Sequence, residues 1–233
     1  MKGAPLEVIA AIIDGTLHCT ACPVRNQRIL YNGWKGFHCL KFHILLSPDG
    51  MIIHVFGPVE GRCHDETVYK QSGLAEILEK HFWTLNKEPL YIYGDPAYSL
   101  GAHVLSPYKG ASMMEEQQQW NSKMSHMREA IEWGFKEVSQ QFAFLNFAEN
   151  HQVLLSPCGL FYMVALLLCN AHTIMHSPQI PQYFNCSPPT LDEYFQGGPI
   201  GDDEMDSWCL LSPWMEAAEP EGDSDDEVLT DGD

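Results

Sequence analysis

The stretch Ile12-Ile13-Asp14-Gly15-Thr16 constrains this chain most, because an apolar run stops at a carboxylate beside a residue that permits a sharp turn. Leu6 to Ile13 is rich in Val, Ile and Ala and is bounded by Pro5 and Asp14-Gly15. That pattern predicts a first strand, buried on both faces and presenting Asp14 at its end. Tyr91-Ile92-Tyr93-Gly94-Asp95 is built the same way and presents Asp95. A third acid, Glu132, sits in a helical pattern in which Trp120, Met124, Met127, Ile131, Phe135 and Val138 recur by threes and fours. Glu132 falls on the border of that apolar face, and Arg128, four residues earlier, is placed to pair with it.

The remaining elements follow from similar signals. Leu40, Phe42, Ile44 and Leu46 share one face of a strand over Phe37 to Leu46, and Met51 to Phe56 continues it after Ser47-Pro48-Asp49-Gly50. Pro presets one turn angle and Asp-Gly accepts the others, so strands two and three are predicted to form an antiparallel hairpin, closed by Gly57-Pro58. Val68, Leu74, Ile77 and Leu78 predict one crossing helix over His64 to Lys80, leading to the fourth strand. The last core element is Val153 to His176, interrupted by Ser156-Pro157. Together these define an α/β chain, a mixed sheet flanked by helices. The expected organisation is a catalytic-type domain over 1–176, a Pro- and Gly-rich strap over 177–200 without regular structure, and an acidic, disordered tail over 201–233.

Charge is unevenly spread. The net charge is −18, yet 13 of the acids lie from Asp202 onward, where there is no Lys or Arg. Residues 1–201 therefore carry 18 acids against 13 bases. A nearly balanced core can handle a polyanion where the whole chain would repel one. Residues 15–48 hold Arg25, Arg28, Lys35 and Lys41 and no acid. This is the clearly basic tract, and its four cations are candidate DNA phosphate contacts, although ordinary solvated strand residues have the same composition. The tail mixes Trp208, Leu210, Leu211, Trp214 and Met215 with carboxylates, as interaction segments and plain solvated tails both do.

Eight cysteines without a repeating spacing imply no disulfide scaffold and a reducing compartment. Val8 to Ile13 is too short for a secretory signal. The longest apolar run, Cys158 to Cys169, falls short of the roughly 20 residues needed to span a bilayer, so a buried core helix and no membrane partner are expected.

Three carboxylates suit a hard divalent cation, Mg²⁺ or Mn²⁺, which prefers oxygen ligands and keeps waters. Two such ions activate a nucleophile and stabilise the leaving oxygen in phosphoryl transfer. Each acid also has a plainer role: Asp14-Gly15 and Asp95-Pro96 as turn residues, Glu132 as a solvated helix position.

The ordered succession Ile-Asp-Gly-Thr at 13–16, Gly-Pro-Val-Glu-Gly-Arg-Cys-His-Asp at 57–65, Tyr-Gly-Asp-Pro-Ala-Tyr at 93–98 and Ile-Glu-Trp-Gly-Phe at 131–135 resembles Harbinger-type DDE transposases. More narrowly, it resembles the DDE superfamily endonuclease domains derived from such elements, of the kind common in fungi. The resemblance covers about Leu6 to Phe195. It implies a ribonuclease-H-like fold, a divalent metal ion, DNA cleavage or strand transfer, and a nuclear location. The family's metal-binding catalytic triad falls on Asp14, Asp95 and Glu132. His64 and Asp65 match a further motif near the site; alternatively, Asp65 caps the helix beginning there.

Two features depart from the family. Its members usually carry a helical DNA-binding region before the first catalytic strand, and only a few residues precede that strand here. Where many relatives have His soon after Asp-Gly-Thr, this chain has Leu17 and then His18. The expectation is a nuclease domain without its own targeting region. Its alternative is a domesticated, catalytically idle scaffold relying on a separate DNA-binding protein.

Other chemistries carry weaker signals. Cys19-x-x-Cys22 with His18, His38, Cys39, Cys63 and His64 offers zinc ligands, but without a second spaced Cys pair. A His-Asp phosphohydrolase needs further ligands on helices. No Gly-rich phosphate loop, Gly-x-Ser-x-Gly elbow or dinucleotide fingerprint is present.

Overall fold

The computed structural model describes residues 8–110 and 112–195. Six strands form one mixed sheet: β1 (Ile9–Cys19), β2 (Tyr31–Asn32), β3 (Phe37–Leu46), β4 (Ile52–Glu60), β5 (Tyr91–Tyr93) and β6 (Val104–Leu105). Their order is β2-β3-β1-β5-β6, with β4 also paired to β3. β3 runs antiparallel to β1 and β4, whereas β1, β5 and β6 are parallel. Helices α1 (Gln27–Leu30), α2 (Asp65–Gln71), α3 (Leu74–His81), α4 (Glu115–Gln141), α5 (Cys158–His176), α6 (Gln179–Phe184) and α7 (Leu191–Tyr194) complete it. The fold is thus the α/β class expected.

Alternation along β1 feeds two cores. Ile12 packs with Leu46 against Met127, Ala130 and Ile131 of α4 and Ile180 and Phe184 of α6. Ala11 and Ile13 face the other way, onto Leu74 and Leu78 of α3, Ile92 and Tyr98. A strand with apolar residues on both faces must be covered on both, which is why helices lie on each side. The β3–β4 turn forms as its tetrapeptide predicts: the Gly50 N–H donates to the Ser47 carbonyl at 3.0 Å and Gly50 takes a φ of 81°.

Four expectations are corrected. β1 does not end at Asp14-Gly15 but continues to Cys19, because β3 pairs with it from Ile12 to Cys19. β4 runs through Gly57-Pro58 to Glu60, with a register shift opposite Lys41 to His43. The single crossing helix is two, α2 and α3, broken where Gly73 adopts the left-handed φ of 64°. The strap forms α6 and α7, since Ile180 and Phe184 lie one turn apart and bury against the sheet. The acidic tail, and its expected disorder, lies outside the described residues.

α5 extends well past its apolar run and, at 19 residues, is long and apolar enough by composition to cross a membrane. Its inner face nevertheless belongs to this fold. Gly159 lies against Pro58 of β4, and buried Asn170 donates to the Ile52 carbonyl at 2.9 Å, accepts from the Ile52 N–H at 2.8 Å and donates to the Tyr194 hydroxyl at 2.8 Å.

Candidate active site

Parallel pairing of β1 with β5 brings Ile12 opposite Tyr93. Neighbouring strands lie about 4.8 Å apart, and Asp14 and Asp95 each follow that pair by two residues. Asp14, within β1, and Asp95, just past the end of β5, therefore fall at neighbouring register positions. β1 continues beyond this point while β5 stops at Tyr93, so the parallel side of β1 opens at Asp14. This gap, rather than a strand end, presents the carboxylate.

α4 supplies the rest. The Arg128 guanidinium donates to Asp14 Oδ2 at 2.9 Å and approaches Glu132 Oε1 at 3.6 Å. Arg128 thus links the strand acid to the helix acid. The Gly15 N–H donates to Asp14 Oδ1 at 2.9 Å, so both Asp14 oxygens are engaged. Burial still dominates. It pushes the Asp14 carboxyl up to about 6 against the pull of Arg128 and the Gly15 N–H, and the negative charges of Asp95 and Asp65 add to the rise. Asp95 is half-buried and its Oδ1 accepts from the Ala97 N–H at 2.9 Å, folding the chain back so that Tyr98 enters the core. Glu132 is exposed.

Behind Gly15 lies a second charged pair. Lys41 of β3 is buried, its ammonium 2.9 Å from Asp65 and donating to the Cys63 carbonyl at 2.8 Å. A side chain on Gly15 would collide with the Asp65 carboxylate, so the small residue after Asp14 is what lets Asp65 approach the site. Asp65 is the first residue of α2, not its cap; the cap position is His64, which is exposed. Lys41 is therefore spent on Asp65 inside the protein, whereas Arg25, Arg28 and Lys35 are exposed on the β1–β3 connection beside exposed Trp34.

Sequence reasoning located Arg128 only as a helical neighbour of Glu132. Its bond to Asp14 joins positions 114 apart, and only β1–α4 docking creates it. Lys41 gave no sign of facing Asp65. The Cys and His residues weighed as zinc ligands do not converge: among the described residues no three His, Cys, Asp or Glu side chains form a ready metal cluster, and the described cysteines are free thiols. Asp14, Asp95 and Glu132 carry the oxygen donors that a hard cation takes, but they too are not gathered into one cluster among the described residues, and the Arg128 guanidinium supplies the positive charge beside Asp14.

The mixed sheet thus carries Asp14 within β1 and Asp95 just beyond β5, with Glu132 on α4 linked to Asp14 through Arg128. Residues 13–170 match the family described as DDE superfamily endonuclease, and the chain belongs to that family. It is similar to the protein named "Protein ALP1-like" of Arabidopsis thaliana, 24% identical over 131 residues, covering 52% of this chain and 32% of that protein. It is also similar to the "Probable transposase for insertion sequence element IS702" of Microchaete diplosiphon, 22% identical over 152 residues, covering 63% of this chain and 50% of that protein. The matched regions thus span half or less of either relative. No solved structure matches the chain.

Proposed function

We propose that this chain is a transposase-derived, divalent-metal-dependent DNA nuclease domain of ribonuclease-H-like type, in which Asp14, Asp95 and Glu132 hold Mg²⁺ or Mn²⁺. The observation that carries this is the shared register of Asp14 and Asp95 beyond Ile12 and Tyr93, with Arg128 tying Glu132 to the same point. Three antiparallel strands followed by two parallel ones support the fold type, and the motifs at 13–16, 57–65, 93–98 and 131–135 support the Harbinger-type assignment.

In the proposed reaction a water oxygen bonds to phosphorus as the P–O3′ bond breaks, leaving a 3′-hydroxyl and a 5′-phosphate. A freed 3′-hydroxyl in place of water gives strand transfer. Bound metal would supply Lewis-acid activation of the water and stabilisation of the leaving oxygen. The chain's own residues do the rest. Asp14 and Asp95 fix the position from the sheet, Glu132 closes it from α4, and Arg25, Arg28 and Lys35 offer phosphate contacts. The tract's three exposed cations are few for target recognition, so that role goes to a separate DNA-binding protein, and the resemblance to Harbinger-type transposases supports a nuclear location.

One observation favours a second function, an idle scaffold: the Arg128 guanidinium occupies the Asp14 oxygen that a metal ion would need. Thermal unfolding with Mn²⁺ separates the two. A nuclease domain is stabilised by about 2.7 kcal/mol at a hundredfold excess of ion over Kd, Asp14→Asn and Asp95→Asn abolish that gain, and the unaltered protein nicks supercoiled DNA. An unaltered protein indifferent to Mn²⁺ and Mg²⁺ leaves the scaffold.

A further inference from the structure

The turn between β2 and β3 holds Trp34 out in solvent, 91% exposed and the most exposed aromatic side chain among the described residues. Asn32 pairs with Phe37 across the hairpin, so Gly33-Trp34-Lys35-Gly36 form its tip. That tip is braced from within and from below. The Gly36 N–H donates to the Asn32 carbonyl at 2.8 Å and the Lys35 N–H to Asn32 Oδ1 at 3.0 Å, while Asn32 Nδ2 donates to the Gly61 carbonyl at 2.7 Å, beyond the end of β4. Gly36 takes a left-handed φ of 78° to close the turn. The indole is thus exposed on a fixed support, not on a frayed loop.

We propose that this hairpin tip is a binding site for unpaired DNA, in which Trp34 stacks on a base while Lys35, Arg28 and Arg25 meet the neighbouring phosphates. The choice of DNA rests on the nuclease reading; the site itself rests on charge and shape. Lys35 adjoins the indole, and exposed Arg25 and Arg28 lie on the short connection that leads into the hairpin. No acid occurs from residue 15 to 48, and Glu60, beside the Gly61 anchor, is already paired with Arg62 at 2.7 Å. An aromatic ring on a cationic track is the arrangement that holds a single strand, because every base offers a face to stack on and every linkage a phosphate. Protein hot spots instead centre a tryptophan in a broad surround that excludes water. The neighbours of Trp34 in the tip are two glycines and a lysine.

The site is separate from the three acids. Asp14 lies opposite Ile44, and β3 runs back from there to Phe37 at the foot of the tip, about 24 Å at 3.4 Å per residue. A stacked strand covers that distance in about seven nucleotides. The tip therefore engages DNA away from the position of cleavage and serves as an anchor.

Fluorescence anisotropy of a labelled 15-nucleotide oligothymidine, titrated with the full chain in EDTA, tests this. The expected result is measurable binding at low salt that Trp34→Ala weakens about 5- to 150-fold, the range for loss of one stacked base. Trp34→Phe should restore most of it. The salt dependence should be unchanged in Trp34→Ala and shallower by about 0.7 in log–log slope in Lys35→Ala, since the indole carries no charge and the lysine does. No binding by the unaltered chain overturns the proposal, as does Trp34→Ala binding as tightly as the unaltered chain. Equal binding by Trp34→Ala together with loss of a co-purifying protein overturns it in favour of a protein partner. Because no metal is present, the two readings fail separately: a chain stabilised by Mn²⁺ but blind to oligothymidine loses this site alone, and Trp34-dependent binding in a chain indifferent to Mn²⁺ keeps the site and loses the nuclease.

Discussion

Arg128 and Asp14, on α4 and β1, form an ion pair of 2.9 Å in which the carboxylate is largely buried and the guanidinium also reaches Glu132. Removing the arginine leaves Asp14 with the Gly15 N–H as its remaining donor. Arg128→Ala is expected to lose about 1–3 kcal/mol in urea unfolding at neutral pH, the usual cost of stranding a buried polar group. The loss should shrink toward pH 4, where Asp14 is protonated in the folded protein; a loss that stays constant with pH would assign it to packing instead.

Stability should fall on mild acidification. Burial lowers His18 to about 4, with His151 adding to the effect, and lowers His43 to about 3, with His54 and Lys41 adding to it. For a histidine depressed in the folded state, the unfolded chain binds the proton first, so stability present above about 6.5 is lost as pH drops toward 4. Asp14, raised to about 6, works in the opposite direction between 6 and 4 but is one group against two. Melting temperatures recorded from pH 7 to 4.5 are expected to decline, with a shallower slope in His18→Gln and His43→Gln.

The four cations of the basic tract should separate into two kinds. Lys41→Met leaves the Asp65 carboxylate without its buried partner and is expected to cost about 2–4 kcal/mol of stability. Arg25→Ala, Arg28→Ala and Lys35→Ala, all exposed, should stay within about 0.5 kcal/mol of the unaltered protein. If the exposed three contact DNA phosphates, each removal should reduce the salt dependence of binding by about 0.9 in log–log slope. Fluorescence anisotropy with duplex DNA across salt concentrations measures that slope.

Asn170 is a structural tether rather than a site residue. Its side chain closes a two-bond ring with the backbone of Ile52 and also holds Tyr194 of α7. Asn170→Leu keeps the volume but strands the Ile52 N–H and C=O, with an expected loss of about 2–4 kcal/mol. Hydrogen exchange at β4 should accelerate in the variant, since the Ile52 amide loses its acceptor.

Local pattern carried much of this protein. Period-two and period-3.6 hydrophobicity, together with the Pro-Asp-Gly turn, are written within a few residues, so β3, the start of β4 and the start of α4 were legible to within a position or two. The motif acids were legible for the same reason: a carboxylate ending an apolar run needs no distant partner to be noticed. Boundaries set by pairing were not. β1 passes Asp14 because β3 lies beside it, and the strap folds because Ile180 and Phe184 find a sheet face already built.

The amino-acid sequence by itself determined the α/β class, the three candidate acids and the family they belong to. Tertiary structure alone decided that Arg128 answers Asp14 across 114 positions, that Lys41 turns inward to Asp65, and that Leu160, Leu167 and Met175 of α5 stay partly exposed. The physical reason is common to all three. Periodicity specifies which residues prefer burial, but sheet register and helix docking choose the partner each buried charge or exposed apolar face receives.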